Sequence, residues 1–158
     1  MLIIQALPVF RLGSKTQTLP HGEYELALKK MLAIKADKTI LVVEDNLDIR
    51  TLIRTFLEKA GYAVLTADDG EEGLRVYERH QSSIGLLLTD VMMPKMDGVE
   101  LADRVLQLDA HLPVLFMSGD APRIGLHSSC LAKPFKSGDL VGRVAQVLGP
   151  SGQQWDAT

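Results

Sequence analysis

The chain has 158 residues, with 17 Lys plus Arg, 20 Asp plus Glu and a formal net charge of −3, a size that supports one domain with its own core. Hydrophobic residues at 46% and charged residues at 23% exclude a disordered composition, and the mild acidity argues against a nucleic-acid-binding surface, which needs clustered Lys and Arg. Cys130 is the single cysteine, so no intramolecular disulfide is expected and a reducing, cytoplasmic setting is the default. No apolar run approaches the ~20 residues of a membrane span. The opening MLIIQALPVF contains Pro8 and lacks a basic start, so it does not read as a signal peptide.

Charge is split unevenly along the chain. Residues 1–36 carry five basic and two acidic side chains, whereas residues 37–158 carry 12 basic and 18 acidic. Within the N-terminal extension 1–36, residues 1–20 read as an extended arm, because Pro8, Gly13 and Pro20 oppose helix. Residues 22–35 favour a short helix, with Glu25 and Lys29 spaced i,i+4. Met31 is a candidate alternative start of translation.

From residue 37 the pattern is regular. Residues 39–43 (TILVV) form a continuous apolar run, as expected of a strand buried on two faces. Asn46 is placed to cap a helix with Ile49, Leu52, Ile53, Phe56, Leu57 and Ala60 on one face, and Gly61 to stop it. Residues 62–67 form a second strand, and Asp69 caps a second helix that runs to about His80. Residues 84–89 (IGLLLT) form a third buried strand. Asp97-Gly98 opens a third helix with Val99, Ala102, Val105 and Leu106 inward. Residues 113–117 and 129–132 are strands four and five. Ser137 caps a last helix with Leu140, Val141, Val144 and Leu148 inward. This gives one domain over 37–149 and a tail at 150–158. Strands alternating with helices imply a parallel sheet with right-handed crossovers and helices on both faces. In such folds ligands bind beyond the carboxyl ends of the strands.

Those ends carry the chemistry. Strand one is followed by Glu44-Asp45, strand three by Asp90, strand four by Ser118, and strand five by Lys133-Pro134. Crowded carboxylates repel, and their natural partner is a hard, oxygen-loving divalent ion, Mg²⁺ above all. Three carboxylates, one divalent ion and the Lys133 ammonium balance in charge and leave the site ready for an anion such as a phosphoryl group. Taken singly, each residue has a plainer reading. A strand-end Asp is often a cap, Glu44-Asp45 also suits a helix start, and a lysine is often only solvated. Asp97-Gly98 reads as a turn and cap. Met92, Met93 and Met96 read as loop packing rather than as sulfur ligands.

Together, the acid pair of VVEDN, the run DVMMPKMDG at 90–98, MSG at 117–119 and KPF at 133–135 resemble the response-regulator receiver domain of two-component signalling, over about 37–149. Their wording is most similar to receivers that are part of, or work with, hybrid sensor kinases. The resemblance implies a flavodoxin-like, doubly wound (βα)5 fold with a five-stranded parallel sheet. It implies Asp90 as phosphoacceptor, and Mg²⁺ held by Glu44, Asp45, Asp90 and the Met92 backbone carbonyl. Lys133 and Ser118 would contact phosphoryl oxygens, with a cis peptide before Pro134 aiming Lys133. The implied partners are a histidine kinase or phosphotransfer protein and a downstream protein target. Only SGQQWDAT follows Pro150, so output in trans is expected, with no direct nucleic-acid or membrane contact. A homodimer through residues 22–35 stays open.

Four features depart from the family pattern. The acid pair is Glu-Asp rather than the commoner Asp-Asp, and the hydroxyl is Ser118 rather than Thr. Position 130, three before the lysine, holds Cys130 where Tyr or Phe is usual, so there is no ring to move inward as a readout. Only fourteen residues separate Ser118 from Lys133, which leaves room for a shortened fourth helix, at 123–128. Cys130 itself reads as a small core residue rather than a redox group. Two other functions compete. One is a degenerate receiver that acts as a phosphorylation-independent interaction module. The other is a phosphatase forming an aspartyl-phosphate, which would want a general acid where Met92 stands. The expectation is a domain that promotes only its own phosphorylation and dephosphorylation, not an enzyme acting on a separate substrate.

Overall fold

The computed structural model describes residues 10–12, 15–17, 39–119 and 130–149. The chain divides into two units, 1–34 and 35–158. In the first, β1 (Phe10–Leu12) and β2 (Lys15–Gln17) pair antiparallel, with Phe10 opposite Gln17 and Leu12 opposite Lys15. Within the stretch read as an extended arm, these two segments form a ladder with each other. The helix expected at 22–35, the shortened helix expected at 123–128 and the tail 150–158 lie outside the described residues.

In the second unit the described elements alternate. They are β3 (Thr39–Val43), α1 (Leu47–Lys59), β4 (Ala63–Ala67), α2 (Gly70–His80), β5 (Ile84–Asp90), α3 (Gly98–Leu108), β6 (Val114–Ser118), β7 (Cys130–Ala132) and α4 (Ser137–Val147). The strands form one five-stranded sheet in the order β4-β3-β5-β6-β7, and each neighbouring pair is parallel. This is the doubly wound, flavodoxin-like arrangement expected from the sequence.

Alternation of side chains across the sheet explains the continuous apolar strands. Leu41, Val43 and Leu87 face one cluster with Tyr77, Leu101, Ala102 and Val105. Ile40, Val42, Leu86 and Leu88 face the opposite cluster with Ile53, Leu57, Leu140 and Val144. Helices α2 and α3 thus cover one face, and α1 and α4 cover the other. Each fully buried aliphatic or aromatic side chain here removes roughly 1.5–3 kcal/mol of unfavourable hydration. Among the described residues, no helix is long and apolar enough to cross a membrane.

Local signals place the element ends. The Asn46 carboxamide oxygen accepts from the N–H groups of Asp48 and Ile49 at 3.0 and 3.1 Å. Asp69 and Asp97 accept from Glu72 and Glu100, each at 2.8 Å, so three of the four anticipated caps are formed. Gly61, with φ of +89°, occupies the left-handed region after α1 that only glycine enters cheaply. The last helix differs from expectation: its cap is Lys136, whose N–H donates to the Asp139 carboxylate at 3.0 Å, and Ser137 is already helical. Two helical faces also differ. Leu52 is 49% exposed, while Leu101, absent from the expected face, is fully buried.

Candidate functional site

The register of the sheet brings the strand ends together. Val43 lies beside Thr89, Asp90 beside Met117, and Ser118 beside Ala132. Each of the anticipated groups therefore emerges at one edge: Glu44 and Asp45 after β3, Asp90 at the tip of β5, Ser118 at the tip of β6, and Lys133 just after β7. Glu44, Asp90 and Ser118 are buried, and Asp45 is exposed at the rim. Each of Glu44, Asp45 and Asp90 offers a carboxylate oxygen, and these oxygens lie within 4.8 Å of one another.

Lys133 spans two of the three acids. Its Nζ lies 2.7 Å from Glu44 Oε2 and 3.1 Å from Asp90 Oδ2. Its backbone N–H donates to the Ser118 carbonyl at 2.8 Å, which ties the β7 end to the β6 end. The Lys133–Pro134 peptide is cis, as the resemblance implied. Burial pushes the Glu44 carboxyl above its ordinary value, against the opposing pull of Lys133. Burial alone would lower Lys133, but its bonds to Glu44 and Asp90 outweigh that, and the ammonium is held above the usual lysine value. Three carboxylates facing one ammonium leave an excess of two negative charges. The donors are all oxygens, so the cluster suits a hard divalent cation such as Mg²⁺.

The methionines divide. Met93 and Met96 are buried in the core, as expected of packing residues, but Met92 is 74% exposed. Met92 stands two residues beyond Asp90, at the start of the loop into α3. Cys130 is half-buried against the cluster that contains its cross-strand neighbour Phe116, and burial raises its thiol pKa, consistent with a small packing residue.

Sequence reasoning missed several supports of this edge. Arg50 Nη1 donates to the carbonyl oxygens of Glu44 and, at 3.4 Å, Asp45. Thr89 Oγ1 donates to the Asp90 carbonyl at 2.9 Å. Gly98 N–H donates to the Val91 carbonyl at 3.0 Å, which closes the loop that Asp90 begins. Lys95, at φ of 67°, reaches Asp69 Oδ2 at 2.5 Å. The Lys95 bond is the main influence holding the Asp69 carboxyl below its ordinary value, with the Glu72 N–H adding to it. Only Gly98 had a signal in the sequence, as the glycine of an Asp-Gly turn. The others act through backbone atoms or across loops, where spacing carries no information.

Similarity to known proteins agrees with this geometry. The family model described as the response regulator receiver domain matches residues 40–145. The response regulator receiver protein CpdR of Brucella abortus is 41% identical over 122 residues, covering 70% of this chain and 97% of that protein. The alkaline phosphatase synthesis transcriptional regulatory protein PhoP of Bacillus subtilis is 35% identical, over 71% of this chain but 49% of its own length. The chain likewise spans only about half of three other curated transcriptional regulators it matches. Among solved structures, the receiver domain from hybrid histidine kinase CckA is 37% identical with a TM-score of 0.63, covering 70% of this chain and 99% of that one. A receiver domain protein from Clostridium thermocellum is 29% identical with a TM-score of 0.65, covering 70% of this chain and 94% of that one. With its five parallel strands and its acids and lysine at their carboxyl ends, the chain belongs to the response regulator receiver domain family of two-component systems.

Proposed function

We propose that the domain takes a phosphoryl group from a histidine kinase or phosphotransfer protein onto Asp90 and signals through protein partners in a phosphorelay. The observation that carries this reading is the Asp90 carboxylate at a buried strand tip, 3.1 Å from the Lys133 ammonium and clustered with Glu44 and Asp45. An Asp90 oxygen would attack phosphorus and form a P–O bond. The P–N bond of the phosphohistidine would break, with its electron pair returning to the imidazole nitrogen. Glu44, Asp45, Asp90 and the Met92 carbonyl are the groups that would hold Mg²⁺. Bound there, the ion would supply positive charge against the phosphoryl oxygens. Lys133 would exchange part of its bonding to Glu44 and Asp90 for a phosphoryl oxygen, and the Ser118 hydroxyl would donate to another. Met92 offers no general acid, which counts against a phosphatase acting on a separate ester, and the domain would promote only its own phosphorylation and dephosphorylation.

A second reading, a degenerate receiver that binds partners without phosphorylation, is favoured by Cys130, which supplies no aromatic ring beside Ser118's strand. One experiment separates the two. The protein is incubated with Mg²⁺ and a small acyl phosphate, and its intact mass is measured. Gain of one phosphoryl group, absent in Asp90→Asn, is the expected result. A wild type that gains no mass and does not bind beryllofluoride overturns the first reading and favours the second.

A further inference from the structure

We infer that Arg50 is a positioning residue for the metal-binding acid pair, acting through the backbone of Glu44 and Asp45. This role rests on the metal reading proposed above. The turn between β3 and α1 carries two of the three clustered carboxylates, and its conformation sets where they point. One side is fixed by the strand: Glu44 N–H donates to the Ala67 carbonyl at 3.2 Å. The other is fixed by the helix: Asn46 caps α1, and Arg50 N–H donates to the Asn46 carbonyl at 2.9 Å. Between these anchors, among the described residues, the Arg50 Nη1 is the side-chain donor that reaches the carbonyls of both Glu44 and Asp45. The guanidinium thus ties the first turn of α1 to the two peptides that carry Glu44 and Asp45. Groups that orient ligands without touching the metal commonly change affinity by roughly 10–100-fold when removed.

The sign of the effect distinguishes this role from simple electrostatics. Arg50 is a cation beside a cation site. Its charge alone opposes metal binding, so its loss would tighten binding if charge were all that mattered. Positioning predicts the reverse.

The test titrates Mg²⁺ alone by calorimetry into full-length wild type, Arg50→Met, Arg50→Lys and Arg54→Met, with the thermal midpoint of each measured in chelator. Methionine keeps the aliphatic stem and its packing while removing the donors. Arg54 sits one turn further along α1 and pairs with Glu58 at 2.7 Å, so Arg54→Met removes the same charge from the same helix. Arg50→Met is expected to weaken Mg²⁺ about tenfold, with a midpoint close to wild type. Arg50→Lys is expected to recover part of that loss, and Arg54→Met to stay within about twofold of wild type. At saturating Mg²⁺ the phosphorylation rate of Arg50→Met should return toward wild type, since the defect lies in holding the metal. Unchanged or tighter binding in Arg50→Met, or an equal loss in Arg54→Met, overturns the role of Arg50. A wild type that binds no Mg²⁺ overturns the metal reading itself, and the Arg50 role with it.

Discussion

A β-carbon on Gly98 would lie 2.0 Å from the carbonyl oxygen of Asp90. The start of α3 is therefore pressed against the peptide of the residue proposed to take the phosphoryl group, at a distance that admits only hydrogen. Gly98→Ala must move either the helix or the strand tip. We expect it to lower unfolding free energy by about 1–3 kcal/mol and to slow phosphorylation by acyl phosphate. Gly142, inside α4, meets nothing within 4 Å, so Gly142→Ala should raise stability by about 0.5–1 kcal/mol. Urea denaturation of the two variants checks the contrast, and equal effects would contradict the close approach.

Asp45 separates metal binding from folding. It is the exposed member of the acid cluster, so Asp45→Ala should keep the unfolding midpoint in chelator near that of wild type. The rise in thermal midpoint produced by Mg²⁺ should vanish, because that rise measures binding to the folded state. Persistence of the Mg²⁺ shift in Asp45→Ala would show that Asp45 is not a ligand.

Asp69 links two loops and should impose an acid-side dependence on stability. Its carboxyl is held below the ordinary value, first by Lys95 and then by the Glu72 N–H. Above the unfolded-state value, the carboxylate is ionised in both states and its contribution is complete. As pH falls below it, the unfolded chain takes up the proton first, and the contribution fades until the folded carboxyl also protonates. Asp69→Asn keeps a cap acceptor but loses the charge, so the gap between wild type and variant should shrink from pH 5 to about pH 3. The Lys95 side chain is 60% exposed, so added salt should narrow the gap at neutral pH as well. Denaturation curves across pH and salt test both trends.

The α1 face offers a paired comparison. Ile53 is fully buried and its neighbour Leu52 is 49% exposed. Ile53→Ala should cost about 2–5 kcal/mol and Leu52→Ala about 0.5 kcal/mol, as read by urea midpoints.

The fold was legible where one residue's chemistry suffices. The runs at 39–43 and 84–89 announced strands covered on two faces, and the sheet does separate Ile40 and Val42 from Leu41 and Val43. Caps at Asn46, Asp69 and Asp97 were readable because a short polar side chain before an apolar period serves the first turn. Ser137 misled because Asp139, reaching back to the Lys136 N–H, does the work of a cap from inside the helix. Leu52 misled because it lies at the margin of a broad apolar stripe, and the sequence does not mark which margin the sheet covers. At the site, charged residues at strand ends were visible one at a time, and the order of the motifs supplied their convergence. Arg50 and the Asp69–Lys95 pair were not visible. Their partners are main-chain oxygens or a loop 26 residues away in sequence, which no local pattern encodes.

Every residue of β5, from Ile84 through Asp90, is buried, and the strand is paired on both sides. Such a strand exchanges its amide hydrogens only when the domain opens as a whole, whereas loops exchange through small local openings. Amides of Leu87 and Leu88 should therefore be among the slowest to exchange, and that of the exposed Met92 among the faster. Asp90 stands at the boundary between these regimes. Its carboxylate is mounted on a strand that opens only with the domain, so a new charge placed there acts from a fixed point.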